Sequence, residues 1–394
     1  MLNIKNLHNY FPLLLLLPAL PIAGRLIYFF EIFVFAYLLI YFLNANINKI
    51  SQRHLLVCFG LFGLLLLINF YQVIYFNTSL NTSFIRVGLL LLCALIFSNS
   101  NAAISEKSLL FVIAFASILA IAQSIEGRFF GPGPINTFIS FFYPYNGDVG
   151  FSVITKTQGL NLATNGVFNA TSIVDGHTIL AGNFLAICAI YTLFRKKYAL
   201  TAITALAVIM TFSRGSWIIM LTGFSIWSIL NFKKFFSPKL MFSLFLIILI
   251  FLFIPENNLF NAINLRVVDT LIIFGLIEGI SEGGIDPRRD IVWPRFFEHV
   301  NSTGISGWLF GSGFEGPVDS GYFLILKEFG LIGLILVIFF GFYFVWSVKK
   351  STIFFVIFLS ISIAMVVNPV QQGMKLIFLI YCIYIIETLR FKNA

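Results

Sequence analysis

A chain of 394 residues that is 59% hydrophobic, 17% aromatic and only 10% charged cannot hide its apolar surface in one water-facing fold. With a mean hydropathy of +0.96, that excludes an ordinary soluble enzyme, a disordered chain and a fibrous repeat. The net charge of +9 raises nucleic acid as a partner, but the cations stand at the ends of apolar runs rather than in one soluble patch, which argues against it.

Apolar runs of membrane-spanning length recur throughout. The expected fold is a single integral domain, 1–394: an all-α polytopic membrane protein with about 12 transmembrane helices. The first run, 10–23, follows Lys5 and imitates a signal peptide. Pro21-Ile22-Ala23-Gly24 offers no convincing cleavage site and another long run follows at once, so an uncleaved first span is expected. Further spans are expected at 26–43, 54–76, 84–98, 108–123, 171–194, 198–212, 215–232, 239–254, 320–346, 351–367 and 374–389. Cys58, Cys93, Cys188 and Cys382 lie inside these runs without metal-ligand spacing and read as packed apolar side chains.

With both termini cytoplasmic, fourteen of the 25 cations fall on the cytoplasmic side: Lys5, Lys49, Arg53, Lys107, Arg195, Lys196, Lys197, Lys233, Lys234, Lys239, Lys349, Lys350, Arg390 and Lys392. Only Glu106 and Glu387 accompany them among the sixteen acids, so every short loop obeys the positive-inside rule. Two long segments then face outward, 124–170 and 255–319. Long external loops are where a membrane enzyme would hold substrate. Gly131-Pro132-Gly133-Pro134 marks turns in the first. Thr270–Ile280 in the second is apolar, too short to span and broken by Glu278, which suits a helix at the interface. No internal repeat is visible, which counts against transporters built from duplicated halves.

Eleven cations break the charge rule: Arg25, Arg86, Arg128, Lys156, Arg214, Arg266, Arg288, Arg289, Arg295, Lys327 and Lys375. Eight are arginines, which grip phosphate bidentately and stay charged in a low dielectric. An outward cluster of them suits a pyrophosphate-linked lipid. For Arg266 and Arg295 the expectation is instead salt bridging with the nine acids of the second loop. Arg214, in Thr211-Phe212-Ser213-Arg214-Gly215-Ser216-Trp217, stands at the break between two spans, where it snorkels or binds something.

Asp319 closes the stretch from Gly311 and opens the tenth span. It could act as general base for a hydroxyl or cap the helix. Gly330 and Gly333 would allow close helix approach. Lys327 and Glu328 could pair within the protein or line a wet cavity. His177 and Asp175 could reach an outer cavity or make a structural contact, and His299 has no evident partner. No metal-ligand constellation is visible, so the expected chemistry is metal-free with no cofactor.

Three features resemble the O-antigen polymerase and ligase family of bacterial envelope membrane proteins. Phe212-Ser213-Arg214-Gly215-Ser216-Trp217 opens a span. Arg288-Arg289-Asp290-Ile291-Val292-Trp293 lies in the large outer loop. Trp308-Leu309-Phe310-Gly311-Ser312-Gly313 leads to Asp319-Ser320, then nine residues, then Gly330-Leu331-Ile332-Gly333. The resemblance covers about 170 to 346; the N-terminal spans match only in hydropathy. The position matching Asp319 is a histidine in O-antigen ligases, so Asp319-Ser320-Gly321-Tyr322 looks more like the repeat-unit polymerases.

The resemblance implies a C-type glycosyltransferase fold in the bacterial inner membrane, with a large extracytoplasmic loop over a periplasmic site. It implies lipopolysaccharide or related polysaccharide biosynthesis, with undecaprenyl-pyrophosphate-linked glycan as donor and acceptor, membrane lipids around it and a chain-length regulator as a further partner. Asp319, Arg289 and His177 are the implied catalytic residues; Arg214, Arg288, Arg289 and Arg128 would bind pyrophosphate. The alternatives are an O-antigen ligase that uses lipid A core as acceptor, and a transporter or flippase for lipid-linked sugars. A transporter would spread charge through its span interiors, whereas here only Glu31, Arg86, Lys327, Glu328 and Lys375 lie near or within spans.

Overall fold

The computed structural model describes residues 8–22, 25–44, 52–76, 82–98, 104–130, 133–143, 172–174, 178–211, 213–232, 292–314, 318, 320–348, 351–366 and 373–392. These residues are mostly helical. The chain enters through a 3-10 helix, His8–Leu16, and an antiparallel hairpin, β1 (Ala19–Ile22) with β2 (Arg25–Tyr28), in which Ala19 faces Tyr28 and Ile22 faces Arg25. The first apolar run is therefore not the expected α-helical span, and the fold is not purely α. Pro12, Pro18 and Pro21 explain this, because each removes an amide donor and clashes with the preceding turn. At about 2 Å rise per residue a nine-residue 3-10 helix is too short to cross a bilayer. It packs inside the helical body through His8, Phe11, Pro12 and Leu15, all buried.

Helices then follow as α1 (Phe29–Asn44), α2 (Gln52–Phe76), α3 (Thr82–Ser98), α4 (Glu106–Phe129), α5 (Pro134–Phe142), α6 (Thr178–Phe194), α7 (Tyr198–Met210) and α8 (Arg214–Leu230). After residues outside the description come α9 (Trp293–Ser302), α10 (Gly304–Phe310), α11 (Gly321–Ser347), α12 (Thr352–Ala364) and α13 (Met374–Lys392). Ten of the twelve expected spans coincide with α1–α4, α6–α8 and α11–α13. The expected span 239–254 and the expected interfacial segment Thr270–Ile280 lie outside the described residues. Helices α4 and α11 are long and apolar enough to cross a membrane, and seven shorter apolar helices accompany them.

Serines start several of these helices. Ser105, Ser320 and Ser351 accept the amides of Ser108, Phe323 and Phe354, which satisfies one otherwise orphaned donor each. Apolar residues face outward where a soluble protein would place polar ones: Ile74 is 82% exposed, Leu56 77% and Ile229 75%. Such faces fit a lipid surround, with the buried interior formed by α6, α13, α4 and α3. Small residues bring helices together: a Cβ on Gly182 would collide with Ser216 and Thr211 across the α6–α8 contact. Cys93, Cys188 and Cys382 are buried and free, as the apolar reading expects.

The two ends of the helical body differ. At one end Arg195 pairs with Glu106, Nε to Oε1 at 3.1 Å, and with Glu387; Arg390 reaches Glu106 at 3.3 Å. Ser351 donates to Glu387 at 3.0 Å and Tyr191 to Glu106 at 3.2 Å. The start of α4, the end of α6, the start of α12 and the end of α13 therefore meet. This is the arrangement that alternating span directions require, and it gathers cations that the charge rule assigns to one side.

At the opposite end the chain folds into the body instead of leaving it. Ser172, at φ 51°, donates Oγ to the Ala116 carbonyl at 2.6 Å and its amide donates to Gln123 Oε1 at 2.9 Å. Irregular backbone at such depth is tolerated only when its polar groups are satisfied within the protein, and here they are. Helix α5 is held across the end of α4 by Glu126, whose carboxylate accepts the amides of Ile135 and Asn136 at 3.0 and 2.7 Å.

Candidate functional site

The described residues around Trp293, Trp308–Gly313 and Gly330 form one unit, α9–α10–α11. Helix α9 begins at Trp293 and is amphipathic, burying Phe296 and Val300 and exposing Pro294, Arg295 and Glu298. Phe296, Val300, Val318 and Leu326 make a small separate core, packed by Phe297, Trp308, Phe314 and Phe323. Burial of each large side chain there stabilises the unit by roughly 1.5–3 kcal/mol.

The Trp308–Gly313 stretch forms the end of α10 and an extended strap. Gly311 and Gly313 have φ of 97° and 65°, conformations that favour glycine. The strap is held at three backbone groups. Gln72 Nε2 of α2 donates to the Phe310 carbonyl at 2.7 Å, the Ser312 amide donates to the Lys327 carbonyl at 3.1 Å, and His299 Nε2 donates to the Ser312 carbonyl at 2.9 Å. A carbonyl only accepts, so this contact places the His299 proton on Nε2 and leaves the Nδ1 lone pair as an acceptor.

Helix α11 breaks at Gly330, with φ 63° and ψ −167°. A Cβ there would collide with the Leu309 carbonyl, so close approach is a real property of Gly330. Gly333 differs: its Cβ would meet the Phe329 side chain of its own helix, folded back by the break. At the start of α11, Ser320 is the N-cap, its Oγ 3.5 Å from the Phe323 amide. The cap of this helix is therefore Ser320. The Gly321 amide and Tyr322 hydroxyl bind the Met365 and Ser362 carbonyls at 2.7 and 2.6 Å, fixing this start to α12.

Of the expected site residues, Asp319, Arg288, Arg289 and His177 lie outside the described residues. Arg128 and Arg214 lie on the last turn of α4 and the first residue of α8, with their side chains outside the description. Beside Arg214, Ser216 Oγ lies 2.7 Å from Ser213 Oγ and 3.0 Å from Asn183 Oδ1 in a buried polar cluster.

The other exceptional cations divide. Arg86 is spent on Glu31, Nε to Oε1 at 2.6 Å with a second contact through its terminal nitrogen, so it is an internal ion pair and not a ligand group. Lys375 is fully buried, donates to the Ile173 carbonyl at 2.6 Å and lies 4.5 Å from the Tyr143 ring centroid. Lys327 lies 6.0 Å from the Phe314 ring, on the same ring that His299 approaches at 5.4 Å. Arg295 is exposed; of the nine acids expected to pair with it only Glu298 lies among the described residues, and the two form no ion pair there. It precedes His299 by one helical turn, so the two share a face of α9. Sequence reading left His299 without a partner. The signal was present in the spacing, because Phe296 and Val300 mark the buried stripe and put Arg295 and His299 beside it.

No protein-family model matches the chain, and no curated protein matches it.

Proposed function

We propose that this protein is a polysaccharide polymerase of the inner membrane. It joins undecaprenyl-pyrophosphate-linked repeat units at the periplasmic face, with the Arg195–Glu106–Glu387 end in the cytoplasm. The single observation that carries the reading is the α9–α10–α11 unit: among the described residues, Leu309 packs on Gly330, the Ser312 amide reaches the Lys327 carbonyl and Trp293 meets Phe323, at the end of the body away from the cation-rich one. In the proposed reaction a sugar hydroxyl of one repeat attacks the anomeric carbon of another. The anomeric carbon–oxygen bond breaks with its electron pair leaving on pyrophosphate.

Negative charge develops on that leaving group, and preorganised cations in a water-poor site stabilise it most effectively. Arg288 and Arg289, with Arg214 and Arg128, fill this role on the resemblance, and Arg295 adds an exposed guanidinium on the helix that follows Arg288 and Arg289. The resemblance places Asp319 and His177 on the acceptor side. The testing experiment is purified protein in lipid with a lipid-linked repeat unit and no nucleotide sugar. Chain extension supports the reading; transfer only to a lipid A core acceptor makes the protein a ligase.

A further inference from the structure

We propose that His299 is the general base of this transfer, a role resting on the polymerase reading above. Three observations converge on it. The Ser312 carbonyl holds Nε2 as the protonated nitrogen at 2.9 Å, which fixes both the tautomer and the ring orientation. The ring is only partly buried and packs on Phe314 at 5.4 Å, so its plane is set by a neighbour without the residue being sealed from solvent. Arg295 stands one turn earlier on the same face, which puts a cation able to meet the departing pyrophosphate beside the group that meets the incoming hydroxyl.

In the step, Nδ1 takes the proton of the acceptor hydroxyl as its oxygen bonds to the anomeric carbon. The carbon–oxygen bond to pyrophosphate breaks, and its electrons leave on the phosphate oxygen. The imidazolium then returns its proton to water. Nothing is oxidised or reduced.

The competing role for His299 is purely mechanical: it clamps the Gly311–Gly313 strap. Two variants of the full-length protein separate the roles. His299→Gln keeps a side-chain N–H for the Ser312 carbonyl but has no comparable lone pair. His299→Ala removes both and leaves space for free imidazole. The readout is the initial rate of chain extension in lipid, with KM for the lipid-linked repeat measured alongside. His299→Gln is expected to lose about 10²–10⁴-fold in kcat with little change in KM, the range for a general base. His299→Ala is expected to lose as much and to regain rate as imidazole is added. Near-wild-type kcat in His299→Gln, or no imidazole rescue of His299→Ala, overturns the base role and returns it to Asp319. A wild-type protein that extends no chain defeats the polymerase reading itself, and this proposal with it.

Discussion

Gly330 packs so closely on the carbonyl of Leu309 that no side chain fits between them, and its φ of 63° breaks α11 at the point where the α10 end crosses it. Gly330→Ala therefore adds a steric clash to a left-handed backbone. The expected loss is about 1–3 kcal/mol, the usual range for overpacking, read as a lower melting temperature in detergent. Gly60→Ala is the control: it is exposed in the middle of α2 with open space around it, and alanine favours helix. Equal melting temperatures for Gly330→Ala and wild type would mean that the break at Gly330 is not a tight contact.

The Arg86–Glu31 pair gives a stability effect distinct from catalysis. Arg86→Ala leaves Glu31, almost fully buried, without its partner, at a cost of about 3–5 kcal/mol. The double variant Arg86→Met with Glu31→Gln should recover most of that, and turnover per folded molecule should hold in both. Normal melting with lost turnover in Arg86→Ala would instead make Arg86 a substrate ligand.

Sidedness can be read by labelling. In a background without the four native cysteines, Asn301→Cys on α9 should react with an impermeant maleimide on whole cells, and Lys196→Cys only after permeabilisation. Both positions are exposed in the fold, so reactivity reports side and not burial. The reversed pattern would put the α9–α11 unit in the cytoplasm and remove lipid-linked repeats as its substrate.

Leaving-group stabilisation is expected to rest on arginine. Arg289→Ala should lose on the order of 10²–10³ in rate, as for removal of one charge-assisted contact to a developing anion. Arg289→Lys should restore only part, because an ammonium cannot reproduce the bidentate fork. Turnover should also survive EDTA; abolition by chelator with recovery on adding a divalent ion would sink the arginine scheme.

The helices were legible because a membrane span announces itself by the length of its apolar run, and α1–α4, α6–α8 and α11–α13 follow that signal. Hydropathy is blind to backbone geometry, and there the reading failed. The prolines at 12, 18 and 21 turn the first run into a 3-10 helix and a hairpin, and the break at Gly330 hides inside 27 continuous apolar-rich residues. The length of an apolar run does not announce a nine-residue helix such as α5, nor the buried turn at Ser172–Val174, whose hydrogen bonds to Gln123 and Ala116 reach residues 49 and 56 positions away. The site was legible as a set of exceptional cations, but not in its pairings. Arg86 finds Glu31 across 55 residues, a distance over which the sequence announces no partner. The same limit holds at the start of α11, where the structure gives the N-cap as Ser320.

The most direct test of the account is a single reconstitution. Purified protein in proteoliposomes receives an undecaprenyl-pyrophosphate-linked repeat unit as the sole glycan, and the products are separated by size. The account predicts a ladder of two, three and more repeats on the lipid carrier, with release of undecaprenyl pyrophosphate. Repeats that remain single, with no pyrophosphate released, would contradict it.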